Sequence, residues 1–143
     1  MPAKQGHEEF TAEERSAMKE RAREIRSRRR GGKADGVTEV REALAAMPPA
    51  DRALGERIDA IVRANAPGLA PKTWYGMPAY AKDGNVVCFF RCAAKFKTRY
   101  ATLGFSDEAK LDDGHMWPTD FALTGLTPAD EARIAELVKK AVQ

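Results

Sequence analysis

The placement of aromatic residues constrains this chain most. Ten of its eleven Phe, Trp and Tyr residues fall between Trp74 and Phe121, so one third of the chain must supply most of the core's bulk. The pattern inside that stretch is one of strands. Lys82-Asp83-Gly84-Asn85 separates the stretch Trp74 to Ala81 from the apolar run Val86 to Phe90, and an Asp-Gly centre supplies the positive φ angles of a tight hairpin. Lys95-Phe96-Lys97-Thr98-Arg99-Tyr100 alternates, with Lys95, Lys97 and Arg99 on one side, which predicts a third strand. Thr119 to Leu123 predicts a fourth, and Ser106-Asp107-Glu108 the start of a short helix. Gly76 and Pro78 force a bend or bulge where three large aromatics cluster.

Helical signals lie on either side. Val37, Val40, Leu44 and Met47 share one helical face that Pro48-Pro49 ends, and Leu54, Ile58, Ile61 and Val62 give a second helix from near Asp51 its core face. Thr127-Pro128-Ala129-Asp130 starts a last helix with Ile134, Leu137, Val138 and Ala141 on its apolar side. Helices gathered at the ends of an antiparallel sheet of about four strands predict an α+β layer fold rather than a βαβ nucleotide fold.

Residues 1–36 read as a separate arm. Thr11-Ala12-Glu13-Glu14 is a capping box that opens a helix to Arg30, and Gly31 to Gly36, with three glycines in six residues, reads as a flexible linker. The domain boundary therefore falls at Gly36, with a domain over 37–143. The arm carries ten Lys and Arg against seven Asp and Glu, whereas 37–143 carries fourteen of each, so the whole formal charge of +3 sits in the arm. Arg15, Lys19, Arg23, Arg26 and Arg30 form a cationic stripe with Glu13, Glu20 and Glu24 opposite, the part of the chain suited to track nucleic-acid phosphates. No aromatic interleaves the basic residues, which makes a solvated arm the simpler reading.

Composition excludes several classes. The longest strongly apolar run is five residues, Val86 to Phe90, too short to span a bilayer. Two cysteines, Cys88 and Cys92, cannot build a disulfide framework, and no apolar h-region follows Met1, so a cytoplasmic chain is expected. No glycine-rich phosphate loop follows a strand, and Ser106 is the only serine after residue 36, placed to cap a helix. A non-enzymatic protein is the expectation.

Two constellations remain as candidate sites. Asp107, Glu108, Asp112, Asp113, His115 and Asp120 put five carboxylates and an imidazole within fourteen residues, a donor set suited to iron or manganese. The competing reading pairs this acidic loop with Lys95, Lys97 and Arg99. The tract Pro71 to Tyr80 offers Trp74, Tyr75, Met77 and Tyr80 for an aromatic-lined ligand pocket, with Trp117-Pro118 placed to close over it. An enzyme built around that pocket is an alternative reading, and a nucleic-acid accessory protein acting through the arm is another.

The tract Pro71-Lys72-Thr73-Trp74-Tyr75-Gly76-Met77-Pro78-Ala79-Tyr80, the Asp83-Gly84 hairpin, the Val86-to-Phe90 and Lys97-to-Leu103 strands and the final helix together resemble the bacterial YdhG-like family, domain of unknown function 1801. The resemblance covers about residues 37–143. It implies a compact α+β sandwich similar in general architecture to frataxin. Some members are assigned as intracellular iron chaperones, so the resemblance implies weak iron or small-ligand binding, with iron as the cofactor to test and iron–sulfur assembly proteins as partners. Frataxin-like iron binding uses carboxylates on a first helix. Here the helix from Asp51 to Asn65 balances Asp51, Glu56 and Asp59 against Arg52, Arg57 and Arg63, which makes Asp107 to Asp120 the better place for a metal.

Overall fold

The computed structural model describes residues 12–30 and 33–143, with side chains described for 12–21 and 35–143. The chain is α+β, and the described residues form five helices and one antiparallel five-stranded sheet. Its elements are α1 (Ala12–Arg30), α2 (Lys33–Ala45), α3 (Pro49–Asn65), β1 (Ala70–Trp74), β2 (Met77–Lys82), β3 (Asn85–Arg91), α4 (Ala93–Phe96), β4 (Ala101–Phe105), β5 (Asp120–Leu123) and α5 (Pro128–Ala141). The strands lie side by side in chain order, because tight turns and short connections let each pair with the strand before it.

The aromatic tract is itself a hairpin, and this accounts for the fifth strand. Tyr75 (φ 52°) and Gly76 (φ 79°) form the two-residue turn between β1 and β2, with Trp74 opposite Met77. Asp83 (φ 52°) and Gly84 (φ 84°) repeat that geometry between β2 and β3, as two positive φ angles in a row match the twist of the flanking strands. Pro78 is tolerated inside the sheet because the β2–β3 ladder begins only at Ala79 opposite Phe89, so its missing N–H removes no rung there. One residue further along β3 a bulge intrudes. Tyr80 opposes Cys88 but Ala81 opposes Val86, and the extra residue lets both Val87 and Cys88 join the core.

One core holds the layers together. Val40 and Leu44 of α2, Ile58 and Val62 of α3, and Ile134 and Val138 of α5 pack with Tyr80, Phe90 and Leu103 of the sheet. Arg57 of α3 also forms an ion pair with Glu131 of α5, with Nη2 to Oε1 at 2.6 Å.

Three sequence expectations change. Lys95 to Tyr100 is not a strand. Ala93–Phe96 is a short helix and Lys97 ends it with a left-handed φ of 55°, because the buried carboxylate of Asp51 in α3 accepts from the Ala93 and Ala94 amides at 3.3 and 3.0 Å and fixes a helical start there. The third-strand role passes to Ala101–Phe105 as β4. Ser106 opens a turn rather than a helix. Its hydroxyl donates to the Val86 carbonyl and accepts from the Glu108 amide, tying the chain back to β3. Finally, α2 begins at Lys33, inside the segment expected to be a linker, and runs across the expected boundary at Gly36. Gly36 is buried where a Cβ would run into the Pro71 carbonyl of β1, so this glycine serves a close helix-to-strand approach.

Candidate functional site

A cavity of about 740 Å³ opens between α1, α2, the Tyr75-Gly76 turn and α4, within the roughly 300–1,000 Å³ usual for small-ligand sites. Its apolar wall includes Met47, Met77, Phe90 and Phe96, and Cys92 also faces it. Its polar groups are Ser16 and Glu20 of α1, Glu39 and Glu42 of α2, Thr73 of β1 and Lys95 of α4. Three carboxylates therefore meet one ammonium.

Local structure positions each of these groups. Glu39 accepts from the Thr73 hydroxyl at 3.0 Å, which links α2 to β1 at the cavity wall. Lys95 is presented by the α4 turn that Asp51 caps, and forms an ion pair with Glu20. Gly76 gives this pair its room, since a Cβ there would meet the Glu20 carboxylate and the Lys95 ammonium. Next to it the Arg21 guanidinium lies 5.5 Å from the Tyr75 ring centroid, a cation–π arrangement. Farther out, Lys97 pairs with Glu13 at 2.9 Å. Burial pushes the Cys92 thiol up, an effect that Lys95 partly offsets, so it is not primed as a nucleophile.

The candidates of the aromatic tract do not come together in this cavity. Of Trp74, Tyr75, Met77, Tyr80 and Trp117, only Met77 lines the cavity. Tyr80 points into the core and donates to Asp59 at 2.7 Å. Trp74 instead meets Tyr75 and Phe89 edge to face, each at 5.4 Å between centroids, and Trp117 packs against the core from the loop between β4 and β5. Strand alternation separates them: Tyr80 shares a face with Cys88, whereas Ala79 and Phe89 occupy the other.

The acidic candidates do not converge either. Asp107, Glu108, Asp112, Asp113, His115 and Asp120 are all exposed. Among the described residues no group of three or more His, Cys, Asp and Glu side chains stands where it could hold a metal ion. The loop from 106 to 119 turns at 107–108 and again at 114–115 and sends Ala109 and Leu111 into the core, which leaves its acids facing solvent. On α3, Asp51 caps α4, while Asp59 accepts from Tyr80 and pairs with Arg63 at 2.6 Å. Two of the three helix carboxylates weighed as a frataxin-like surface are thus committed to structure.

Lys95 and Lys97 pair with the arm rather than with the acidic loop. Glu20 and Glu13, expected opposite the cationic stripe, face the body, and Arg15 and Lys19 are exposed. The side chains of Arg23, Arg26 and Arg30 lie outside the described residues.

Reasoning from sequence missed Glu39, Glu42, Thr73 and Lys95 as partners in one site. The available signal was the alternation in charge between α1 and the Lys95-to-Arg99 segment, which was assigned to the wrong acidic stretch. No family model, no curated protein and no solved structure matches the chain, so the likeness to the YdhG-like family rests on the residues quoted for it. Among the described residues no helix is long and apolar enough to cross a membrane.

Proposed function

We propose that this protein is a small-ligand-binding domain whose site is the cavity beneath α1, and that the site takes a small organic cation with an apolar portion. The observation that carries this reading is the lining: Glu20, Glu39 and Glu42 against Lys95, over a wall of Met47, Phe90 and Phe96. Lys95 is already paired with Glu20, so the remaining carboxylate charge favours an incoming ammonium or guanidinium, and the apolar wall favours a short hydrocarbon. The geometry favours binding over catalysis. His115 does not line the cavity, and its one thiol, Cys92, is shifted away from the thiolate. Both cysteines are free thiols, which suits a cytoplasmic location.

Calorimetric titration with hexylamine and with hexanoate tests the reading. Hexylamine should bind, hexanoate should not, and the double substitution Glu39→Gln with Glu42→Gln should weaken amine binding by about tenfold or more, roughly 1.4 kcal/mol. Equal binding of amine and carboxylate, or no effect of the double substitution, would remove the electrostatic basis of the proposal.

A further inference from the structure

We infer that α1 is a movable lid on this half-open cavity, latched by charge, and that access to the cavity widens when the helix lifts away. For its purpose the inference rests on the cavity being a ligand site, but its test does not.

The contacts that seat the described part of α1 are polar. Glu13 pairs with Lys97 at 2.9 Å, with the two side chains 34% and 73% exposed. Glu20 pairs with Lys95, and the Arg21 guanidinium sits over Tyr75. Apolar anchoring is slight. Of the residues from Ala12 to Arg21 only Ala12, Ala17 and Met18 are apolar, and Met18 is 51% exposed. α2, α3 and α5 all place side chains in the core cluster, whereas no described residue of α1 belongs to it. The outer pair, Glu13 with Lys97, holds weakly and is screened by salt, whereas the Glu20 to Lys95 pair, with side chains 27% and 25% exposed, is screened less. The described part of α1, Ala12 to Arg21, can therefore separate from the body without opening the core, and the outer latch at Lys97 depends on ionic strength.

The body is shaped to receive it. Ser16 and Glu20 form the α1 side of the cavity, so lifting the helix removes one wall. At the seat the hairpin carries a left-handed residue that is not glycine: Tyr75, with φ 52° and 43% exposed. Bulky side chains rarely adopt that conformation, and strain of this kind concentrates where it serves a function. Here it holds the ring under the Arg21 guanidinium, and Gly76 beside it leaves space for the Glu20 to Lys95 pair.

The two native thiols report on the lid. Both thiols are buried in the core cluster, but Cys92 also lines the cavity, whereas Cys88 does not. Alkylation rates of the two, resolved by mass spectrometry in the full chain without any ligand, separate lid opening from unfolding. Raising NaCl from about 0.05 to 0.5 M should speed Cys92 labelling roughly threefold or more while Cys88 stays protected. At low salt Lys97→Glu and Glu13→Lys should each speed Cys92 labelling, and the charge swap carrying both should return it towards the native rate. A Cys92 rate that ignores salt and both substitutions overturns the lid. So does a swap that fails to restore protection, or a Cys88 rate that rises in parallel. Amine binding with an invariant Cys92 rate would sink the lid and spare the ligand site; a salt-sensitive Cys92 rate without amine binding would do the reverse.

Discussion

The first and last helices announce themselves in the same way and are held in opposite ways. Both follow a Thr-x-x-acid start, at Thr11 to Glu14 and at Thr127 to Asp130. In α5 the box is realised. The Asp130 amide donates to the Thr127 hydroxyl at 3.1 Å, the Thr127 amide donates to the Asp130 carboxylate at 2.9 Å, and these bonds hold the Asp130 carboxyl below its ordinary range. Ile134, Val138 and Ala141 then anchor the helix in the core. Among the described residues of α1 none joins the core, and those residues meet the body through charge. A cap decides where a helix begins, while the width of its apolar stripe decides whether it is part of the fold or a movable attachment. Truncating one apolar side chain in each helix is the most forceful way to break this contrast. Ile134→Ala should cost about 2–5 kcal/mol in denaturant unfolding, whereas Met18→Ala should stay within about 0.5 kcal/mol. Similar losses would mean that α1 is as integral as α5.

Alkaline pH sharpens the same contrast from the side of the core. Burial pushes the Cys88 thiol up from 9.0 to about 12, and burial followed by the charge of Asp59 raises the Tyr80 phenol. A raised folded-state value means that the proton is kept more tightly in the native chain. Below about pH 9 both states hold these protons and the groups leave stability unchanged. Above it the unfolded chain releases the thiol proton and then the phenol proton while the native chain keeps them, so stability falls as pH rises, by up to about 1.4 kcal/mol per pH unit for each group. Urea midpoints from pH 8 to 11 should decline accordingly, and Cys88→Val should flatten the decline between pH 9 and 10. A wild-type midpoint independent of pH across that range would contradict the burial of both groups.

These two regions also show what was legible in the sequence. Wherever one periodicity or one turn dominated, the elements followed: the Asp83-Gly84 hairpin, α3, α5 and the α+β class all come from local signals. Local alternation misled at Lys95 to Tyr100, because the deciding interaction is Asp51, more than forty residues away, capping α4. The glycines failed in the other direction. Gly36 looks like a linker residue until β1 is known to pass over it. The candidate site suffered most, since its charges come from α1, α2 and α4, and only the folded chain shows that Glu13 and Glu20 answer Lys97 and Lys95. The acidic loop was the more conspicuous cluster in sequence, yet its turns leave every one of its acids facing solvent. Conspicuous composition is a poor guide to convergence when the residues lie in a loop.

The finest test of the contrast uses the two hairpin turns, which share a backbone and differ in their surroundings. Gly76 and Gly84 both have positive φ, 79° and 84°, so alanine at either position should cost about 1–2 kcal/mol through the left-handed backbone alone. Around Gly84 a Cβ would find open space. At Gly76 it would enter the volume held by the Glu20 carboxylate and the Lys95 ammonium. Both of those groups are the ends of flexible side chains, so they give way before the sheet does, and the added methyl loosens the seat of α1 rather than the core. Gly76→Ala and Gly84→Ala should therefore lower the unfolding free energy by similar amounts, while only Gly76→Ala speeds alkylation of Cys92. Equal Cys92 rates in the two variants would place the seat of α1 away from this turn and leave the strained Tyr75 without the purpose assigned to it.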